Sequence, residues 1–97
     1  MTYVGILDGQ KDVWGVRIPD VPGVHGGGAT PQQAIADAAS ALGEAALRAA
    51  ARGIVLAEPR DVAAIRADDA VRADLSEGDV FVLVDVAGAR EKILSRA

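Results

Sequence analysis

The sequence predicts an α+β domain in which a small antiparallel sheet packs, in two layers, against one long helix. Three stretches carry that expectation. Residues 13–18 alternate, with Trp14, Val16 and Ile18 on one face and Val13, Gly15 and Arg17 on the other; period two with a polar second face is the mark of a half-buried antiparallel strand. Residues 31–52 place Ile35, Ala38, Leu42, Ala45, Ala46 and Ala49 at spacings of three and four, an apolar stripe along one side of a helix. Residues 80–86 are apolar on both faces except for Asp85, which suits an interior strand or one covered on both sides.

The elements follow in the order β-β-β-α-(α)-β. Residues 2–7 are short, apolar and rich in strand formers, and residues 8–12 (DGQKD) read as a hairpin loop into the alternating run. Pro19 has no N–H to give a sheet ladder, so the second strand stops there. Pro19 and Pro22 fix two φ angles, and Gly23 supplies a positive φ if the turn requires one. Residues 24–28 (VHGGG) form a third strand whose glycines suggest a flat edge or close backbone approach. Thr30 is positioned to cap a helix that begins at Pro31, with Gln33 at the capping-box position; loss of the cap is expected to cost about 1 kcal/mol. Gly53 ends the helix. Residues 54–56 are an apolar connector, Glu58-Pro59 resets the chain, and residues 61–75 read as one or two short helices with Val62, Ile65, Val71 and Leu75 inward. Residues 76–79 (SEGD) turn into the last strand. Trp14 is expected to anchor the sheet–helix core.

The chain has 97 residues, the size of one domain, expected over residues 1–88 with a short C-terminal tail at 89–97. Only Tyr3, Trp14 and Phe81 are aromatic, so the core must be built from Val, Ile, Leu and Ala. With no cysteine, disulfides, thiolate metal sites and cysteine nucleophiles are excluded. No apolar run reaches the roughly 20 residues that span a bilayer, and the N-terminus lacks signal-peptide features, so a cytoplasmic protein without membrane contact is expected. The formal charge of −4 argues against nucleic-acid binding, which needs clustered Lys and Arg. The acidity is concentrated in Asp68, Asp69, Asp74, Glu77 and Asp79, against Arg72 alone. Such a run is either a solvated edge or a face that steers a basic partner.

Catalysis finds little support. His25 is the single histidine, and Gly26-Gly27-Gly28 lacks both the Lys-Ser/Thr of a phosphate loop and the spacing of a dinucleotide fingerprint. Ser40, Ser76 and Ser95 have no nucleophile motif around them. Asp8, Asp12 and Asp20 lie around the hairpin, and a metal-dependent nuclease would have to draw Asp8, Asp20 and Asp85 together. No catalytic, metal or cofactor-binding residue is assigned, and no cofactor is expected.

The stretch from Pro19 to Ala34 resembles the HicB-like antitoxin family. Pro19-Asp20-Val21-Pro22-Gly23 follows the alternating strand, then Gly28 and Thr30 precede an Ala-rich helix. The family pattern carries PD-L-PG, a frequent Cys and then G-D-T; here Val21 stands at the Leu, Val24 at the Cys and Ala29 at the Asp. A later family Glu falls on Ser40. The resemblance implies a partial RNase H-like fold without RNase H catalysis, acting by binding and occluding a small basic, HicA-like mRNA-cleaving toxin. Pro19, Asp20, Pro22, Gly23, Gly28 and Thr30 are then structural turn and cap residues, while Asp68, Asp69, Asp74, Glu77 and Asp79 are the candidate partner-steering acids. Residues 89–97 (AREKILSRA) are too short for the DNA-binding appendage of many members, so direct DNA binding is not expected. The alternatives are an orphan scaffold module of the same fold and the metal-dependent nuclease. A homodimer or higher homo-oligomer, for example through edge pairing of residues 24–28, is a further expectation.

Overall fold

The computed structural model describes residues 1–86, and the tail expected at 89–97 lies outside the described residues. The chain runs β1 (Thr2–Gln10), β2 (Val13–Arg17), β3 (His25–Gly28), α1 (Pro31–Ala51), α2 (Val62–Ala67), α3 (Asp69–Asp74) and β4 (Val80–Asp85). The four strands form one antiparallel sheet in the order β3-β2-β1-β4. The α+β order expected from the sequence is borne out, with one difference of placement and one choice between two expected placements.

The first concerns the hairpin. β1 continues to Gln10, which pairs with Val13, so the connection is only Lys11-Asp12. Lys11 takes the left-handed conformation at φ 56°, and the Trp14 indole N–H donates to its carbonyl at 2.9 Å. That hydrogen bond holds Trp14 at the rim, half-buried against the core rather than anchoring it.

The second concerns β4. The most apolar strand is an edge strand, and the interior position next to it belongs to β1. Val82 and Val84 face α1, while Phe81 faces the other way into a small cluster beneath α2 and α3. Val80 and Leu83 remain about half exposed. Continuous apolarity here reflects cover on both faces along part of the strand, which a sheet edge can also have.

α1 lies closer to the sheet than an ordinary helix can. Gly26 and Gly28 face it, and a Cβ at Gly26 would sit 2.2 Å from the Ala38 nitrogen and 2.7 Å from the Ala34 carbonyl oxygen. The glycine run therefore serves close backbone approach, with Ala34, Ala38, Ala39 and Leu42 fully buried on the helix side. Thr30 accepts from the Gln33 N–H at 3.1 Å, and Gln33 Oε1 reaches back to the Ala29 N–H at 2.9 Å. The helix ends in a Schellman closure, with the Ile54 and Gly53 N–H groups donating to the Ala49 and Ala50 carbonyls and Gly53 at φ +71°.

The main core fills the space between α1 and the sheet: Tyr3, Leu7, Val16, Ile18, Leu42 and Val84 with the buried alanines. Each large aliphatic side chain there contributes roughly 1.5–3 kcal/mol of transfer free energy. Tyr3 is wholly buried and its hydroxyl donates to the Ala57 carbonyl, tying the connector after α1 back to the sheet. Burial raises the Tyr3 pKa above the ordinary phenol value, and the nearby charges of Asp20 and Glu58 push it the same way. On the opposite face, Val4 and Ile6 meet Ile65 and Val71, with Val62, Leu75 and Phe81 around them. The short helices thus add a partial third layer to the two-layer arrangement read from the sequence.

Candidate functional site

The face of the sheet away from α1 carries the charged residues. Ile6, Arg17 and His25 lie side by side across β1, β2 and β3 by register. The turn from β2 to β3 rises at one end of this row. Val21 N–H donates to Ile18 O at 3.1 Å, Val24 N–H to Val21 O at 3.1 Å and Ile18 N–H to Val24 O at 3.3 Å. Pro22-Gly23 occupies the centre of the second of these turns, and Gly23 has φ +91°, which a proline followed by glycine is built to supply.

Two arginines bind this face to the α2–α3 segment. Arg60 donates from its backbone N–H to Asp20 Oδ2 at 2.8 Å and from Nε to Asp20 Oδ1 at 2.7 Å. Its Nη1 reaches Asp68 Oδ2 at 2.9 Å. Asp68 is also the cap of α3, accepting from Ala70 N–H at 2.8 Å and Val71 N–H at 3.4 Å. The Arg60 hydrogen bond, and then those backbone donors, hold the Asp68 carboxyl below its usual range; the same pairing raises the Arg60 guanidinium. Arg17 is the second hub, at 3.7 Å from Asp8, 3.4 Å from Asp74 and 3.5 Å from Asp79. It also donates to the Asp74 carbonyl at 3.1 Å.

These contacts separate the expected site residues by role. Asp20 is 7% exposed and spent on Arg60; Asp79 is 6% exposed, paired with Arg17 and accepting from Ser76 N–H at 2.9 Å. Both are structural links. Asp68 is part cap and part link, and Asp74 is 76% exposed although paired. The side chains of Asp69 and Glu77 are exposed and make no hydrogen bond or ion pair among the described residues. Pro19, Pro22 and Gly23 form the turn, Gly28 admits α1, and Thr30 caps it. Sequence reasoning did not single out Arg17 and Arg60 as hubs. Their signal was faint: a lone arginine in an otherwise apolar strand, and one following Pro59.

The carboxylates of the nuclease alternative are held apart. Asp8 stands opposite Gly15 and Asp85 opposite Thr2, so they are six β1 positions apart, roughly 20 Å. Asp20 is committed to Arg60 beyond the other end of β2. Among the described residues no three His, Asp or Glu side chains gather where they could hold a metal ion.

A cleft of about 310 Å³ opens between the Pro19–Gly23 turn and α3. Ile6, Ile18, Val24 and Val71, nearly buried, lie beneath it, and Arg17, His25, Arg60, Asp68 and Asp74 line it. β3, beside it, is an edge strand, but its outward Gly27 N–H donates to Asp37 Oδ2 of α1 at 2.9 Å. A carboxylate planted on an edge donor opposes strand-to-strand pairing there. No helix among the described residues is long and apolar enough to cross a membrane.

No protein-family model matches the sequence, and no curated protein matches it. Solved structures do. The N-terminal domain of the Burkholderia pseudomallei antitoxin HicB superposes with a TM-score of 0.72 at 27% identity, covering 89% of this chain and 98% of that one. A chain of the HicA3 and HicB3 toxin–antitoxin complex gives a TM-score of 0.67 at 19% identity, over 88% of this chain and 96% of that one, a likeness of fold alone. The Burkholderia pseudomallei antitoxin HicB gives 0.69 at 26% identity over 89% of this chain; the match spans 63% of that longer chain. The sequence resemblance centred on Pro19–Gly23 and Thr30 is borne out in three dimensions: the chain has the HicB-like antitoxin fold.

Proposed function

We propose that the chain is a non-catalytic antitoxin domain that binds a small basic, HicA-type mRNA-cleaving toxin in the cytoplasm and occludes the surface its RNA would use. One observation carries the reading: the likeness to the HicB N-terminal domain runs over almost the whole of both chains, at 27% identity. The relative in a HicA3–HicB3 complex supports the partner type. Charge supports the mode, since a domain of net charge −4 attracts a basic protein and competes with RNA for it. Asp69 and Glu77, exposed and uncommitted, are the steering acids best placed to act at a distance; Asp20 and Asp79 are structural.

The test is reconstitution. A purified HicA-type toxin encoded beside this chain is expected to form a stoichiometric complex that dissociates at high salt and to lose RNA cleavage when the chain is added. Full cleavage activity in the presence of excess chain would sink the proposal. Reversing Asp69 and Glu77 to lysine should lower the association rate and flatten its salt dependence; an unchanged rate would remove the steering role alone.

A further inference from the structure

The outer face of α1 carries a stripe that the rest of the fold leaves open. Ser40, Glu44, Leu47 and Ala51 recur at spacings of four, three and four, which sets them one above another along one side of the helix. All four are exposed. Leu47 keeps 74% of its surface open, and Ile54 and Val55, just past the helix end, keep 55% and 82%. Large aliphatic side chains left open at one end of an element are the mark of a contact surface. Charge along the helix is segregated: Asp37 and Glu44 precede Leu47, and Arg48 and Arg52 follow it. Glu44 and Arg48 are exposed and make no ion pair among the described residues.

We propose that this stripe receives the same stripe of a second copy of the chain, the two α1 helices packing antiparallel about a two-fold axis near Leu47. Charge sets the direction. An antiparallel pair lays the acidic stretch of each helix along the basic end of the other, so Glu44 of each copy meets Arg48 of the other. A parallel pair would set like charges side by side. Ser40 and Ala51 are small enough for the helix axes to approach to about 8–10 Å, while Leu47 of each copy keeps water from the axis. The β3 edge is not the route, since the Asp37 carboxylate already holds the Gly27 N–H there. One helix face buries less than the roughly 1,600 Å² of a standard interface, so the dimer is weak and forms as concentration rises. It does not depend on the antitoxin reading, and it leaves the other face of the sheet, with the Pro19–Gly23 turn, open to a different partner.

Sedimentation of the full chain over a dilution series, at low and high salt, tests this. The average mass is expected to climb from monomer toward dimer with concentration, and to climb less in salt. Leu47→Glu, at an exposed position, should abolish the rise without lowering the melting temperature. Glu44→Arg and Arg48→Glu, each alone, set like charges across the axis and should raise the dimer Kd by about tenfold or more. Mixed together, these two single variants should dimerise again, because each supplies the charge that the other lacks. A monomeric mass at every concentration would overturn the proposal and leave the stripe to residues 87–97 or to another protein. A dimer indifferent to Leu47→Glu would place the contact elsewhere and overturn it too. A mixture of the two charge variants that associates no more tightly than either alone would overturn the antiparallel pairing.

Discussion

The two faces of the sheet are covered by different means. On one side α1 is seated with its backbone almost touching β3, over a core that holds Tyr3, Leu42 and the buried alanines. On the other, α2 and α3, six residues each, rest on four buried apolar side chains and two arginine clasps. The first face is sealed by shape, which tolerates no added volume. The second is held by a smaller apolar cluster, supplemented by ion pairs at partly exposed sites, which are weak and screened by salt. It is also the face that carries the cleft and the motif turn.

The largest expected effect lies on the sealed face. Gly26→Ala would drive a methyl group into the backbone of Ala34 and Ala38, costing about 3 kcal/mol or more by overpacking. Gly27→Ala, on the opposite face with 3.4 Å to its nearest neighbour, should change stability by roughly 0.5 kcal/mol or less. Denaturant midpoints for the pair measure the contrast, and equal losses would break it.

Ile65→Ala, under the clasped face, should cost about 2 kcal/mol. Its signature should be regional. Hydrogen exchange is expected to quicken in α2 and α3 while α1 and β1 keep their protection; uniform acceleration would mean that the two faces unfold as one unit.

Tyr3→Phe leaves the Ala57 carbonyl without its donor and should cost about 1 kcal/mol at neutral pH. Because the folded phenol ionises at a higher pH than the unfolded one, its contribution is complete below roughly pH 10 and fades as the pH rises further. The wild-type protein should therefore lose its advantage over Tyr3→Phe in alkali, read as converging melting temperatures.

The smallest effect belongs to the clasp. Asp68→Asn keeps an α3 cap but removes the charge that Arg60 holds. With the folded carboxyl held low, the stabilisation is present above roughly pH 4 and disappears as the pH falls through the folded value. Wild type and variant should differ slightly in melting temperature at pH 7 and coincide in strong acid. A gap that persists below pH 2 would assign the loss to altered packing rather than to charge.

Local chemistry is what the sequence made legible. Period-two alternation in residues 13–18, the Thr30-Pro31 start, the Gly53 stop and the Pro22-Gly23 turn depend on a few neighbouring residues, and each is where it was expected. The glycines of β3 read correctly as a close approach, although only the fold identifies Ala34 and Ala38 as what approaches. The hairpin loop was read too long because Asp8, Gly9 and Gln10 look like turn residues, while the two-residue turn at Lys11 pulls them into β1. The apolarity of β4 is compatible with an interior strand or one covered on both sides, because burial does not say which neighbour provides it; the structure takes the second, at the sheet edge.

The candidate site was legible as turn and cap residues and as a run of acids, but not as an arrangement. By itself the sequence determined the element order, the Ala-lined helix, the turn conformations and the acidic balance, all consequences of short-range backbone preference and hydrophobic period. Only the tertiary structure decided that Arg17 and Arg60 pair with Asp20, Asp68, Asp74 and Asp79, Asp74 staying largely exposed, and leave Asp69 and Glu77 facing solvent. Arg60 and Asp20 are separated by 40 positions and Arg17 and Asp79 by 62. A side chain's charge is written in the sequence, but its partner is chosen by which surfaces folding brings within about 4 Å.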